Sequence, residues 1–272
     1  MVNRFALFST SFFFFVYSAF VSGYLLSTSF GLAFSLFIFL DFVNKLGTEL
    51  PIKEFILLLA SFQWVVGAKI SYNLGKQHYK YYMYVDENEY MGYVVPAVLL
   101  FYLGFSFLPQ KLQIADLRNT MEKHKERLFP GGVSLVVIGV LSAIISRFYQ
   151  GSFSFILFLS ELLLYIGLGY LLLIFKQYKY LIFSLTLGIL FILSVNQGSF
   201  HKMLLVGSFL SFFTISHTLK FVKKLLLIVV VVSGVYVIQT VKSDLREIVW
   251  RSNTGQNPLD VFWDLVKKEF VV

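Results

Sequence analysis

Arg147, Lys202, Lys242, Arg246 and Arg251 are cations standing at or just beyond the ends of long apolar stretches. A guanidinium offers phosphate a rigid two-pronged donor fork, and an ammonium offers it a compact point charge. Gathered at one membrane surface, such groups would hold an anion whose apolar part lies in lipid. Scattered, they would anchor helix ends, with their long side chains reaching the interface. Lys242 and Arg246 are four residues apart and share a helix face, whereas Arg251 falls on the opposite face unless the chain bends after Glu247. Proton transfer needs a different kind of group, and two residues qualify. Glu161 is the carboxylate well inside an apolar stretch, nine residues after Ser152 or about 13 Å along a helix. An ionisable side chain at that depth is a candidate proton carrier or general base, or else a hydrogen-bonded packing group. His201 follows the polar turn Asn196-Gln197-Gly198-Ser199, which serves as a hairpin and also presents N–H groups to an anion. His78, His124 and His217 stand alone and make no metal spacing. Neither a metal nor a cofactor is expected.

These residues depend on a scaffold that is all-α. Hydrophobic residues make up 57% of the 272 and charged residues only 14%, with a mean hydropathy of +0.75, against roughly 25% charged in soluble domains. The expected architecture is a polytopic transmembrane helical bundle of about nine spans. They run from Phe5 to Leu26, Ser29 to Val43, Phe55 to Tyr72, Tyr90 to Leu108, Gly132 to Ile145, Ser152 to Phe175, Tyr180 to Val195, Met203 to His217 and Leu225 to Gln239. The 32 Phe, 16 Tyr and 3 Trp suit lipid-facing and interfacial positions. A net charge of +8 in so apolar a chain points to topology and lipid headgroups, with no nucleic acid expected as a partner. With no Cys, thiol nucleophiles and disulfides are excluded. The apolar N-terminus reads as a retained first span without a signal-peptide cleavage site.

Lys and Arg collect in loops on the cytoplasmic side. A cytoplasmic N-terminus puts Lys45 and Lys53, the basic run from Lys111 to Arg127, Lys176 and Lys179, and Lys220 to Lys224 inside. The stretch Gln110 to Phe129 reads as a surface helix or solvated loop, ended by Pro130-Gly131-Gly132. Outside lie Tyr79, Tyr81, Tyr82 and Tyr84, as an interfacial belt or a surface for sugar stacking. Residues 1–241 are expected to form the bundle and 242–272 an outer-face segment. In that segment Asn257 caps a helix that starts at Pro258 and carries Leu259, Phe262, Trp263, Val266 and Phe270 on one side. Such an amphipathic helix lies on the leaflet or docks on the bundle. The sequence stops at Val272 without a finishing span, as a chain that continues would.

Three pieces carry a resemblance. They are Phe62-Gln63-Trp64 … Lys69-Ile70-Ser71-Tyr72 before the Tyr-rich loop, the turn Asn196-Gln197-Gly198-Ser199-Phe200-His201-Lys202, and Val241-Lys242-Ser243 … Arg246. Over Phe55 to Arg251 the layout resembles the bacterial O-antigen polymerase and oligosaccharide repeat-unit polymerase families. It departs from them where His201 and Lys202 stand in place of a common Arg, and in lacking the large outer loop and later spans. The resemblance implies a multi-pass protein of the bacterial inner (plasma) membrane. Its activity would be glycosyl transfer from a polyprenyl-diphosphate-linked saccharide to a saccharide acceptor at the outer face, beside membrane lipids and envelope-assembly protein partners. Arg147, Lys202, Lys242, Arg246 and Arg251 would hold the diphosphate, and Glu161 or His201 would act as base. A transporter or flippase for a lipid-linked saccharide or other anion is the alternative, and a non-catalytic scaffold subunit the third.

Overall fold

The computed structural model describes residues 2–74, 83–107, 113–149, 151, 153–175, 177–215, 218–251 and 257–270, with Arg147 and Arg251 as backbone. His78, Tyr79, Tyr81, Tyr82 and His217 lie outside the described residues. The described chain is helical, with no strand. Its helices are α1 (Arg4–Val16), α2 (Leu26–Lys45), α3 (Ile52–Ser61), α4 (Gly67–Leu74), α5 (Glu87–Ser106), α6 (Ile114–Lys123), α7 (Lys125–Phe148), α8 (Ser154–Ile174), α9 (Lys179–Gln197), α10 (His201–Thr214), α11 (Phe221–Arg251) and α12 (Pro258–Phe270). A π-helical turn, Tyr17–Val21, ends α1, and another, Phe62–Val66, joins α3 to α4.

Seven of these stretches are long and apolar enough to cross a membrane. Two of the expected spans fall short. The first is α1, whose helix stops where Gly23 takes a positive φ of 66°. The other is α10, whose 14 residues reach about 21 Å, against a hydrocarbon core of roughly 30 Å.

The chain divides into two compact units. Residues 1–112 with 220–224 form the first. Its core joins Ile38 of α2, Leu57 of α3, Val65 of the π turn, Ala68 of α4 and Met91, Val95 and Val98 of α5. On α5 the three residues recur at helical spacing, so that helix turns one apolar face inward.

Residues 113–219 with 225–272 form the second unit. Its most extensive helix pairing is the α7–α8 hairpin. A Cβ at Gly139 would lie 2.4 Å from the Leu164 nitrogen and 2.7 Å from its Cα, so the two backbones touch. Pro130-Gly131-Gly132 does not end the preceding segment as expected, because α7 runs straight through it. Proline this early removes one hydrogen bond, to the carbonyl of Glu126. The later turns of α7 recover it by packing on α8.

The helix α11 is unbroken over 31 residues, so the boundary expected after residue 241 falls inside it. The N-terminus of α12 is capped as expected, with the Leu259 N–H donating to Asn257 Oδ1 at 3.2 Å. Its apolar side docks on its own unit: Val261 and Phe262 are buried with Val195, Phe200, Ile238, Val241 and Leu245. Trp263 and Phe270, expected on that side, are exposed instead. The stripe is rotated because Val261 and Leu265 share the docked face.

Candidate functional site

The second unit brings four of the predicted residues to the turn between α9 and α10. Gly198 ends α9 with φ 61° and ψ 22°, a left-handed conformation that glycine adopts without a Cβ penalty. The Ser199 N–H reaches back to the Ser194 carbonyl at 2.9 Å. Two side chains of α11 clamp this turn. Arg246 Nε donates to the Gly198 carbonyl at 2.8 Å, and Trp250 Nε1 donates to the Gln197 carbonyl at 3.0 Å. The guanidinium also lies 5.1 Å from the Trp250 ring centre. The carbonyls left open at the end of α9 are thus met by a cation and an indole. Among the described residues the terminal nitrogens of Arg246 have no partner, so the planar fork remains for another acceptor.

Immediately after the turn, His201 Nδ1 and Ser199 Oγ are 2.9 Å apart. Lys202 lies in the first turn of α10, where the helix dipole disfavours a cation. A carboxylate from α8 offsets this: Lys202 Nζ donates to Glu161 Oε1 at 2.8 Å. The Lys202 side chain is 33% exposed and that of Glu161 15%, and the Phe158 ring lies 5.8 Å from the ammonium. Two residues assigned separate roles, a base and an anion ligand, are therefore one ion pair.

The other predicted cations do not join this pair. Lys242 is one turn before Arg246 on α11, half-buried, and has no hydrogen bond or ion pair among the described residues. The backbone of Arg147 lies at the end of α7 and that of Arg251 at the end of α11. Because α11 runs unbroken to Arg251, Arg251 stays about 180° around the helix from Lys242.

Gly198→Ala is expected to cost about 1–2 kcal/mol, the penalty of a left-handed L-residue. The added methyl group would also lie 3.2 Å from Arg246 Cγ. A drop in thermal midpoint, with faster proteolysis at the turn than in Gly188→Ala, checks it.

The first unit holds two charge clusters that sequence reasoning passed over. Lys45 is buried and donates to Asp41 Oδ2 at 2.6 Å and to Glu54. Beside it, Asn44 holds the backbone of Val2, accepting from its N–H at 2.8 Å and donating to its carbonyl at 3.1 Å. The second cluster has Lys69 donating to both oxygens of Glu87 at 2.8 Å. Thr28 Oγ1 donates to the same carboxylate at 2.7 Å, and the Tyr24 ring lies 4.4 Å from the ammonium. The spacing of Asp41 and Lys45, four apart at a helix end, was a visible signal. Lys69 had none. In both clusters the ammonium is paired with carboxylates of its own unit. Among the described residues no three His, Asp or Glu side chains gather as a metal ion requires.

Comparison with protein-family models, with curated proteins and with solved structures returned no match.

Proposed function

We propose that this chain is a multi-pass protein of a bacterial inner membrane that transfers a saccharide from a polyprenyl diphosphate to a saccharide acceptor at the outer face. The observation that carries the reading is the α9–α10 turn itself, where Arg246 bonds the Gly198 carbonyl, His201 meets Ser199 and Lys202 meets Glu161. The seven long apolar helices support the membrane setting. In the reaction the bond from the sugar anomeric carbon to the diphosphate oxygen breaks, and its electron pair leaves with the diphosphate. The acceptor hydroxyl oxygen forms the new bond and gives its proton to a base. Lys202 and the free fork of Arg246 stabilise the charge that grows on the leaving group. Glu161 or His201 takes the proton. Lys242 adds positive potential on the same side of α11.

The test is chain lengthening by the purified full chain with lipid-linked diphosphate saccharides as donors. Arg246→Ala and Lys202→Ala are each expected to lower the rate on the order of 100-fold, as for loss of one transition-state donor. Equal rates in wild type and variants, at matched folded protein, would refute the assignment. Transport of the same anion is the second reading, favoured by the ionisable pair lying between two apolar helices. Saccharide movement in proteoliposomes without lengthening selects it.

A further inference from the structure

We infer that Glu161 stands in for the phosphate of the ligand: it occupies Lys202 while the site is empty, and a phosphate-bearing anion displaces it. The inference rests on the anion site proposed above and assigns that site its regulation. Four observations on the second unit carry it. The pair is asymmetric, with the cation one-third exposed and the carboxylate mostly buried. An anion arriving from outside therefore meets Lys202 before it meets Glu161. Among the described residues only Oε1 of Glu161 is engaged, so one hydrogen bond holds the latch. Lys202 occupies the first turn of α10, where partial positive charge already stands and any anion is favoured. Arg246, whose Nε is committed to the Gly198 carbonyl, has no partner at its two terminal nitrogens among the described residues.

Charge decides which anion wins. A carboxylate brings one negative charge, whereas a phosphate brings up to two and three acceptor oxygens, so the ammonium gains a more strongly charged partner. Once Lys202 turns to the phosphate, both oxygens of Glu161 are open to accept a proton. The base is then unmasked by the arrival of the group whose departure it assists, and stays quenched while the site is empty.

The experiment measures binding of inorganic diphosphate, and of geranyl diphosphate, to the purified full chain and to its Glu161→Gln variant. Removing a competing carboxylate is expected to tighten diphosphate binding roughly three- to tenfold. Glu161→Asp, which keeps the charge but shortens its reach, should give a smaller tightening, and it decides the matter if the glutamine variant fails to fold. Lys202→Met should weaken binding in either background. Equal tightening for both probes assigns the exchange to the phosphate headgroup. Tightening for inorganic diphosphate alone assigns it to a soluble anion. Unchanged or weaker binding in Glu161→Gln overturns the exchange and leaves the anion site standing. No binding by any variant overturns the anion site itself.

Discussion

Gly139→Leu is expected to destroy the α7–α8 hairpin, and with it the folded second unit. The Cβ alone would sit 2.4 Å from the Leu164 nitrogen, 2.6 Å from its Cβ and 2.7 Å from its Cα. A flexible side chain can swing away from such an intrusion, but a helix backbone cannot. Relief therefore requires the two helices to part along their length. The facing glycine carries the same constraint, since a Cβ at Gly167 would lie 2.7 Å from the Gly132 carbonyl oxygen and 2.9 Å from the Val136 nitrogen. Overpacking a core usually costs about 1–3 kcal/mol. Here the loss exceeds that range, because separated helices also forfeit the close contact that small residues provide between apolar helices. Gly188→Leu is the control, as nothing lies within 4 Å of a Cβ there. Thermal unfolding in detergent should show Gly139→Leu without a cooperative transition and Gly188→Leu close to wild type. A cooperative Gly139→Leu within a few degrees of wild type would mean that the helices do not meet at their glycines.

Lys45→Met is expected to destabilise the first unit by about 3–5 kcal/mol, the usual cost of removing one partner from a buried ion pair. Asp41 and Glu54 both point at this ammonium, and the cluster is almost wholly enclosed, with Lys45 and Asp41 side chains 8% and 7% exposed and Glu54 18%. Arg4 Nε is 3.9 Å from Asp41 but lies mainly in the open, so it cannot replace the lost charge. The methionine fills the space and leaves two carboxylates without their cation. The thermal midpoint should fall on the order of 10 °C. Adding Asp41→Asn and Glu54→Gln to Lys45→Met removes the stranded charges and should recover most of the loss. Lys267→Met, at an exposed pair 4.0 Å long, should change nothing measurable. A Lys45→Met protein as stable as wild type would show that the buried carboxylates do not need it.

The helical class was legible because hydropathy sums over long windows, and seven stretches of the chain satisfy that sum without help from tertiary contacts. Where one helix stops was less legible. The expected first span ran through Gly23, since a single glycine hardly alters a hydropathy average, yet its positive φ breaks the helix. Pro130 misled in the opposite direction: it marks a turn only when no helix has begun before it, and α7 begins at Lys125. The cap at Asn257 was legible because its chemistry is local, within two residues. Glu161 and Lys202 were each found, one as an ionisable residue in an apolar stretch and the other as a cation after a turn. Their pairing joins residues 41 apart on different helices, and no spacing rule reaches that far. Lys69 was hidden for a geometric reason. Twelve residues of regular α-helix would place it about 120° around from the buried Leu57. The π turn Phe62–Val66 holds one residue more than an α turn and sets the helix above it back by about 100°, which returns Lys69 to the inner face. Tyr90 Oη marks the same irregularity by donating to the Trp64 carbonyl at 3.2 Å.

For the gene, that π turn makes chain length itself a coded quantity. Losing any single codon between 62 and 66 would remove at most one apolar side chain of the stretch and let the helix relax into a regular α form. The reading frame would survive and the hydropathy profile would scarcely move. Yet every residue from Gly67 onward would be turned through more than a quarter of a circle, carrying Lys69 away from Glu87. In this stretch a deletion is a rotation, whereas a substitution of the same residues leaves the helix above it in register.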